Sequence, residues 1–395
     1  MTPNTNYKSL KDSYLFYDIE QKVKAYTDAH PDVHLYRLGV GDVTLPLCPA
    51  VIEALHHAVD DQSCKETFHG YMPECGAPFL QEAIAAHYAE RKVLLSPDEV
   101  FITCGASDDL GNLLDLFGPK QTAVILEPAY PAYVDTNIMA GNTIVHLASG
   151  IENHFLPSPD PAIQADLIYL CSPNNPTGAV FDRKALQEWI DYARKADAVI
   201  LFDAAYEAFI EDDTIPHSIY ELNGARECAI EICSLSKTAG FTGTRCGYTI
   251  IPKELVRKGM FLHDMWVRNR TTKSNGISYI IQRGAAAVFT PLGQQQIREN
   301  IRVYKQNAAY LTDALDHLGI WYTGGKNAPY IWMKCPGTMG SWDFFDYLLE
   351  KIQVIGTPGE GFGRCGEGYF RFSTFGSPED TRVAAGRLEQ LLSGK

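Results

Sequence analysis

The sequence has 395 residues, 46% of them hydrophobic types and 21% charged, the usage of a folded globular protein with a large core and two or three compact units. Lys and Arg total 34 against 48 for Asp and Glu, a net charge of −14, which disfavours nucleic-acid phosphates and anionic membrane surfaces as partners. The ten cysteines show no CxxC spacing, the start lacks a basic stretch followed by an apolar run, and no window approaches the ~20 apolar residues of a membrane span. Reduced thiols, no metal site and a cytoplasmic location are therefore expected.

Helical spacing of apolar residues begins at Ile19, and LYRLGVGD from Leu35 reads as a short strand ending in glycines. PAVIEALHHAVDD from Pro49 carries a stripe of Val51, Ile52, Leu55, Ala58 and Val59, and PFLQEAIAAHYAERK from Pro78 repeats the amphipathic pattern. Four apolar runs follow, VFITCG from Val100, TAVILEP from Thr122, DLIYLCSPNNP from Asp166 and AVILFDAAY from Ala198. Each ends in a turn residue, as buried strands of a mainly parallel sheet do. RKALQEWIDYARKA, with Leu186, Trp189, Ile190 and Ala193 on one face, joins the last two into a βαβ unit. AIEICSLSK from Ala229 and GYTIIP from Gly247 add two strands, for an α/β sheet of six or seven.

The pattern breaks at Thr290, and a long helix leads into APYIWMKCP, IQVIGTPG and GYFRFSTFG, which alternate with SWDFFDYLLEKI and PEDTRVAAGRLEQLL. This reads as a smaller α+β domain. The expected division is an arm over 1–18, a small domain from 19–47 and 290–395, and a large domain over 48–289.

The most informative segment is SLSKTAGFTGTR, where Lys237 follows a strand, Ser234 and Ser236 flank it, and Arg245 follows a glycine-rich turn. A lysine at a strand end is ordinarily a solvated surface residue. Hydroxyls, backbone N–H groups and a guanidinium together suit a phosphate dianion. An amine beside a phosphate ester suits condensation with the aldehyde of pyridoxal 5′-phosphate. That cofactor needs a carboxylate at its ring nitrogen, and Asp203 ends the strand AVILFD. Tyr206 and Asn175 can serve its phenolic oxygen, and Ala106 and Ser107 stand at a helix start suited to phosphate. Tyr130 in EPAYPAY can stack on the ring. Taken singly, each has an ordinary structural explanation, NNPTG being a good turn and Asp203 a strand-end cap.

The ordered series GASDDL, EPAYPAY, SPNNPTG, FDAAYEAF, SLSKTAGFTGTRCGY and YFRFSTFG resembles the fold-type I pyridoxal-phosphate aminotransferases of the aspartate aminotransferase superfamily. SYLFYDI, RLGVGDVTLPL, KSNGISYIIQRGA and GEGYFRFSTFG narrow the resemblance to the LL-diaminopimelate aminotransferase subfamily, from about residue 7 to the last helix. The resemblance implies a large domain with a mainly parallel seven-stranded sheet between helices, and a smaller α+β domain. Lys237 would carry the cofactor and move the Cα proton, Asp203 would hold the ring nitrogen, and Ala106, Ser107, Ser234, Ser236 and Arg245 the phosphate.

Arg371 would clamp the substrate α-carboxylate as a bidentate partner, beside Gly41. The resemblance also implies a homodimer with shared sites, in which Tyr71 and Asn275 reach the other subunit's cofactor and substrate, while Tyr14 and Glu74 face the substrate's distal end. The implied reaction is ping-pong transamination between LL-2,6-diaminopimelate with 2-oxoglutarate and tetrahydrodipicolinate with glutamate. The subfamily's usual GYGPEQG or GYGAEQG appears as GYMPECG, with Met72 and Cys75, and Ser274 replaces a phenylalanine. Ser107 stands where many members have lysine. These departures leave open an aminotransferase for lysine, an aromatic or another amino acid. A catalytically silent regulator on the same fold is disfavoured by the acidic charge and by the short segment before the first fold-like element.

Overall fold

The computed structural model describes residues 1–11, 14–39 and 41–394. Its centre is a seven-stranded sheet of β1 (Val100–Thr103), β2 (Thr122–Glu127), β3 (Thr143–Ala148), β4 (Leu167–Cys171), β5 (Val199–Asp203), β6 (Ala229–Ser234) and β7 (Gly247–Ile250). The spatial order is β1-β7-β6-β5-β4-β2-β3. The pairs from β6 through β3 are parallel, whereas β7 runs antiparallel to both β6 and β1. Every residue of β4, β5 and β6 is buried, which is why each reads as an unbroken apolar run. β3 lies at an edge with its residues half-exposed or exposed. It therefore lacks that run and was not among the strands read from the sequence.

The register brings the chemistry to one edge of the sheet. Cys171 stands opposite Asp203, Asp203 opposite Ile232, and Ser234 opposite Gly247, which in turn faces Thr103. The reversed β7 thus brings the glycine after Arg245–Cys246 to the same edge as the carboxyl ends of β4, β5 and β6. Helices of a doubly wound sheet place ligand sites at such strand ends.

The helices follow their sequence signals closely. α1 (Leu15–Ala29) starts four residues before Ile19, because Leu15, Ile19 and Val23 form its buried stripe. In α2 (Pro49–Asp61), Val51 and Ala58 are buried, but Ile52 and Val59 are exposed. α2 packs so closely on the helix Tyr279–Val288 that a Cβ on Gly284 would lie 2.6 Å from Leu55 Cδ2, and the outer edge of its apolar stripe is left uncovered. The helix Arg183–Ala196 is capped by Asp182, whose carboxylate accepts from the Ala185 N–H, and buries Leu186, Trp189, Ile190 and Ala193.

A 28-residue helix, Pro291–Leu318, begins with the Thr290 hydroxyl accepting from the Gly293 N–H and ends at Gly319 in the left-handed region. Its first half, through Ile297, Ile301 and Tyr304, joins the core around the large sheet. Its second half, with Ala308, Leu311, Ala314 and Leu315, belongs to a second core. That second core surrounds a four-stranded antiparallel sheet of Tyr322–Gly324, Tyr330–Lys334, Tyr369–Ser373 and Thr357–Pro358. The expected strand LYRLGVGD is only Tyr36–Arg37, since its parallel partner Val354–Ile355 is itself two residues long. Among the described residues, no helix is long and apolar enough to cross a membrane, and no group of three or more His, Cys, Asp or Glu side chains is placed to hold a metal ion.

Candidate active site

A cavity of about 380 Å³ opens where the sheet edge meets the second core, within the usual size of a small-molecule or cofactor site. It gathers Lys237, Asp203, Tyr206, Asn175, Tyr130 and Arg371, and with them Gly41, Ala106, Ser107, Ser234, Ser236 and Arg245.

Lys237 lies in a five-residue helix, Leu235–Ala239, whose first turn is capped by Ser234: its hydroxyl oxygen accepts from the Ser236 N–H at 3.2 Å. Gly240, at φ +80°, ends the helix after one turn. The lysine amine donates to the Gly41 carbonyl. Burial pulls its pKa from 10.5 down to about 8, opposed by the nearby Asp42 carboxylate and assisted by Arg371 and Arg245. An amine so tuned is a nucleophile and base near neutral pH.

Asp203 is buried at the end of β5. One of its oxygens accepts from the Tyr133 hydroxyl at 2.6 Å, and the other from the Ala205 N–H at 3.0 Å. Burial raises its pKa, and these two donors oppose the rise. Tyr133 itself stacks on Tyr169, ring centroids 5.2 Å apart. The Tyr206 hydroxyl lies 3.0 Å from that of Tyr330.

Arg371 is 1% exposed. One terminal nitrogen donates to Asn175 Oδ1 at 2.6 Å, and the other to the Gly39 carbonyl at 2.7 Å and to Thr357 Oγ1 at 3.2 Å. The guanidinium lies 4.3 Å from the Tyr330 ring centroid and 4.9 Å from that of Phe362. Its Nε has no partner among the described residues. A buried guanidinium with an unused donor is an incomplete anion site.

The opposite end of the cavity is a cradle. Arg245, itself at φ +61°, donates to Ser236 Oγ at 3.1 Å and to the Thr242 carbonyl at 3.2 Å. Gly105, at φ +134°, precedes the helix Ala106–Asn112, and a Cβ there would lie 2.7 Å from Arg245 Nη2. Hydroxyls, a guanidinium and helix-start N–H groups at this end suit a phosphate monoester. With a carboxylate and a tuned amine farther in, the donor set fits pyridoxal phosphate.

Four expected residues do not line this cavity. Tyr71 is 90% exposed, Asn275 is exposed and Glu74 half-buried. They lie on neighbouring loops, since a Cβ on Gly276 would meet the Met72 and Pro73 carbonyl oxygens at 2.6 and 2.9 Å. Tyr14 is partly exposed, and its hydroxyl pKa is raised by burial and by the adjacent Tyr130 hydroxyl. Conversely, Phe16, Asp42, Tyr133, Thr242 and Tyr330 line the cavity but were not picked out from the sequence. Tyr133 follows Tyr130 by three residues across a helix start, the one local signal that it shares the site.

Residues 33–388 match the family model described as aminotransferase class I and II. The chain belongs to the class I and II aminotransferases. Within this aminotransferase family, the chain is 50% identical to the LL-diaminopimelate aminotransferase of Lawsonia intracellularis, with 98% of each chain covered. It is also 50% identical to the enzyme of the same name from Lachnospira eligens, over 98% of this chain and 99% of the relative. Among solved aminotransferase structures, the L,L-diaminopimelate aminotransferase from Chlamydomonas reinhardtii superposes with a TM-score of 0.93 at 38% identity, covering 99% of this chain and 98% of that one.

Proposed function

We propose that this aminotransferase uses pyridoxal 5′-phosphate to interconvert LL-2,6-diaminopimelate plus 2-oxoglutarate and tetrahydrodipicolinate plus glutamate, in lysine and cell-wall precursor synthesis. The observation that carries the reading is the single cavity joining Lys237, Asp203 and Arg371 in a chain that resembles enzymes of that name along nearly its whole length. When bound, the cofactor supplies an aldehyde for amine exchange and a protonated ring that draws electrons from Cα. Ala106, Ser107, Ser234, Ser236 and Arg245 hold its phosphate, Asp203 its ring nitrogen, and Asn175 and Tyr206 its phenolic oxygen, with Tyr130 against the ring. The Lys237 amine takes and returns the Cα proton. Arg371 receives the α-carboxylate beside Gly41, its free Nε adding to donors now directed at Asn175 and Gly39.

The enzyme acts as a homodimer. Exposed Tyr71 and Asn275 enter the partner's site, and Tyr14 and Glu74 meet the distal amino acid group of the seven-carbon substrate. The chain divides into an arm (1–18), a small domain (19–47 with 290–395) and a large domain (48–289). Purified protein supplied with LL-diaminopimelate and 2-oxoglutarate is expected to form glutamate, with little from the meso isomer, lysine or aromatic donors. A second reading, transamination of lysine or an aromatic donor, is favoured by Met72, Cys75 and Ser274. Ready turnover of such a donor with none of the LL isomer replaces the first reading with the second.

A further inference from the structure

Behind the lysine helix lies a second cavity, of about 170 Å³, the volume of roughly five or six waters. Ser234 belongs to both cavities, and Leu235 and Thr238, which bracket Lys237, line only the second. Its charged groups come from three directions: Arg91 after the helix Pro78–Glu90, Glu207 after β5, and Arg298 on the long helix.

The balance of charge among them is readable. Glu207 Oε2 is 3.2 Å from His217 Nδ1 and 3.6 Å from Arg91 Nη1. The His217 hydrogen bond and the Arg91 charge hold the Glu207 carboxyl below its usual range against the opposing effect of burial. Arg91 Nη1 also lies 3.2 Å from His87 Nε2, which makes that ring nitrogen the acceptor and His87 neutral. Burial lowers the His87 pKa in the same sense. Arg298 has no hydrogen bond or ion pair among the described residues, and it is exposed at the cavity. Glu207 is thus taken up by Arg91 and His217, and Arg298 is left without a carboxylate partner in the cavity lining. Ile297 and Ile301, which flank Arg298 on its own helix, join Ile210 and Phe289 as the apolar part of the lining.

We infer that this second cavity binds a small monocarboxylate with a short apolar tail, the carboxylate paired with Arg298 and the tail on the apolar part of the lining. One carboxylate satisfies the unpartnered Arg298, and a volume of about 170 Å³ excludes an extended ligand. The site is distinct from the Arg371 pocket, which lies in the first cavity, and it does not depend on which amino donor the enzyme prefers.

Isobutyrate is a suitable probe, titrated by calorimetry into the full chain loaded with pyridoxal phosphate. Arg298→Ala is expected to weaken binding at least fivefold, and Glu207→Gln to tighten it several-fold by removing the opposing charge. Arg371→Lys should leave this binding unchanged. Crystals soaked in isobutyrate should show it beside Arg298. Loss of binding in Arg371→Lys with retention in Arg298→Ala would assign the probe to the first cavity and overturn the inference. Weaker binding in Glu207→Gln, equal binding in all three variants, or a soaked cavity holding only water would overturn it as well. None of these outcomes touches the assignment of the reaction, which is read from glutamate formation.

Discussion

In the proposed reaction the Lys237 amine uses its lone pair twice, for condensation with the cofactor and for proton transfer at Cα, and both require it unprotonated. With its pKa lowered by burial to about 8, roughly a quarter of the amine is free at pH 7.5, against about one part in a thousand for an ordinary lysine. The rate at which cofactor-free protein captures pyridoxal phosphate should rise about tenfold per pH unit below 8 and level off above it. A rate still climbing toward pH 10 would show an unperturbed lysine. The linked stability has a definite sign: between about pH 8 and 10.5 the unfolded chain holds a proton that the folded one has shed, so the cofactor-free fold gains stability as pH rises through that window. Asp203 presents the opposite problem, since burial raises its pKa while its proposed place at the ring nitrogen would need it ionised. The Tyr133 hydroxyl, 2.6 Å away, favours the ionised form. Tyr133→Phe keeps the ring against Tyr169 and removes only the donor. It should shift the acid limb of the kcat/KM profile to higher pH and weaken cofactor binding about tenfold, the scale of one hydrogen bond to a charged group. An unmoved acid limb would mean that Asp203 is held by its other contacts, the Ala205 N–H foremost, with Cys171 and Tyr206 the remaining titratable neighbours.

At the scale of elements, the cradle depends on close backbone approach. Gly105 precedes its helix at φ +134°, and a Cβ on Gly247, its neighbour across β1 and β7, would lie 2.8 Å from Gly105 Cα. Gly105→Ala meets both a forbidden backbone region, costing about 1–3 kcal/mol, and the Arg245 guanidinium. A lower urea midpoint together with at least tenfold weaker cofactor binding is expected; a stability loss with unchanged affinity would place the phosphate elsewhere. The same elements explain what the sequence could express. β4, β5 and β6 are buried on both faces and announce themselves as apolar runs, so Asp203, Ser234 and Lys237 could be placed at strand ends from periodicity and turn residues. β3, half-exposed at the edge, carries no such signal. Tyr330, 124 residues from the Tyr206 it touches, and Asp42 and Phe16, supplied by the first fifty residues, enter the cavity through tertiary packing that no local pattern encodes. Arg371 was legible only through the family motif around it, because an arginine in a strand otherwise reads as an exposed residue.

For the whole molecule, one chain leaves large apolar side chains uncovered. Ile52 and Val59 on α2, with Phe68 and Tyr71 just after it, are each 40–90% exposed, a concentration on one stretch of chain that suits an interface. The charge of −14 favours solubility without covering those side chains, and in the proposed homodimer a second copy related by a twofold axis would cover them at no cost in new sequence. Val59→Glu with Phe68→Glu should leave the folded monomer's stability nearly unchanged, since both side chains are exposed, yet shift the sedimenting species from dimer to monomer and lower activity more than tenfold. Shared sites make a sharper demand than dimerisation. If Tyr71 completes the partner's site, Lys237→Ala and Tyr71→Ala homodimers are each inactive, but exchanging their subunits creates a heterodimer in which one site lacks both residues and the other has both. Random exchange makes half the dimers mixed, each with one intact site of two, so activity should recover to about a quarter of wild type. Subunits that exchange, as followed by mass, without any recovery would place Tyr71 in the site of its own chain.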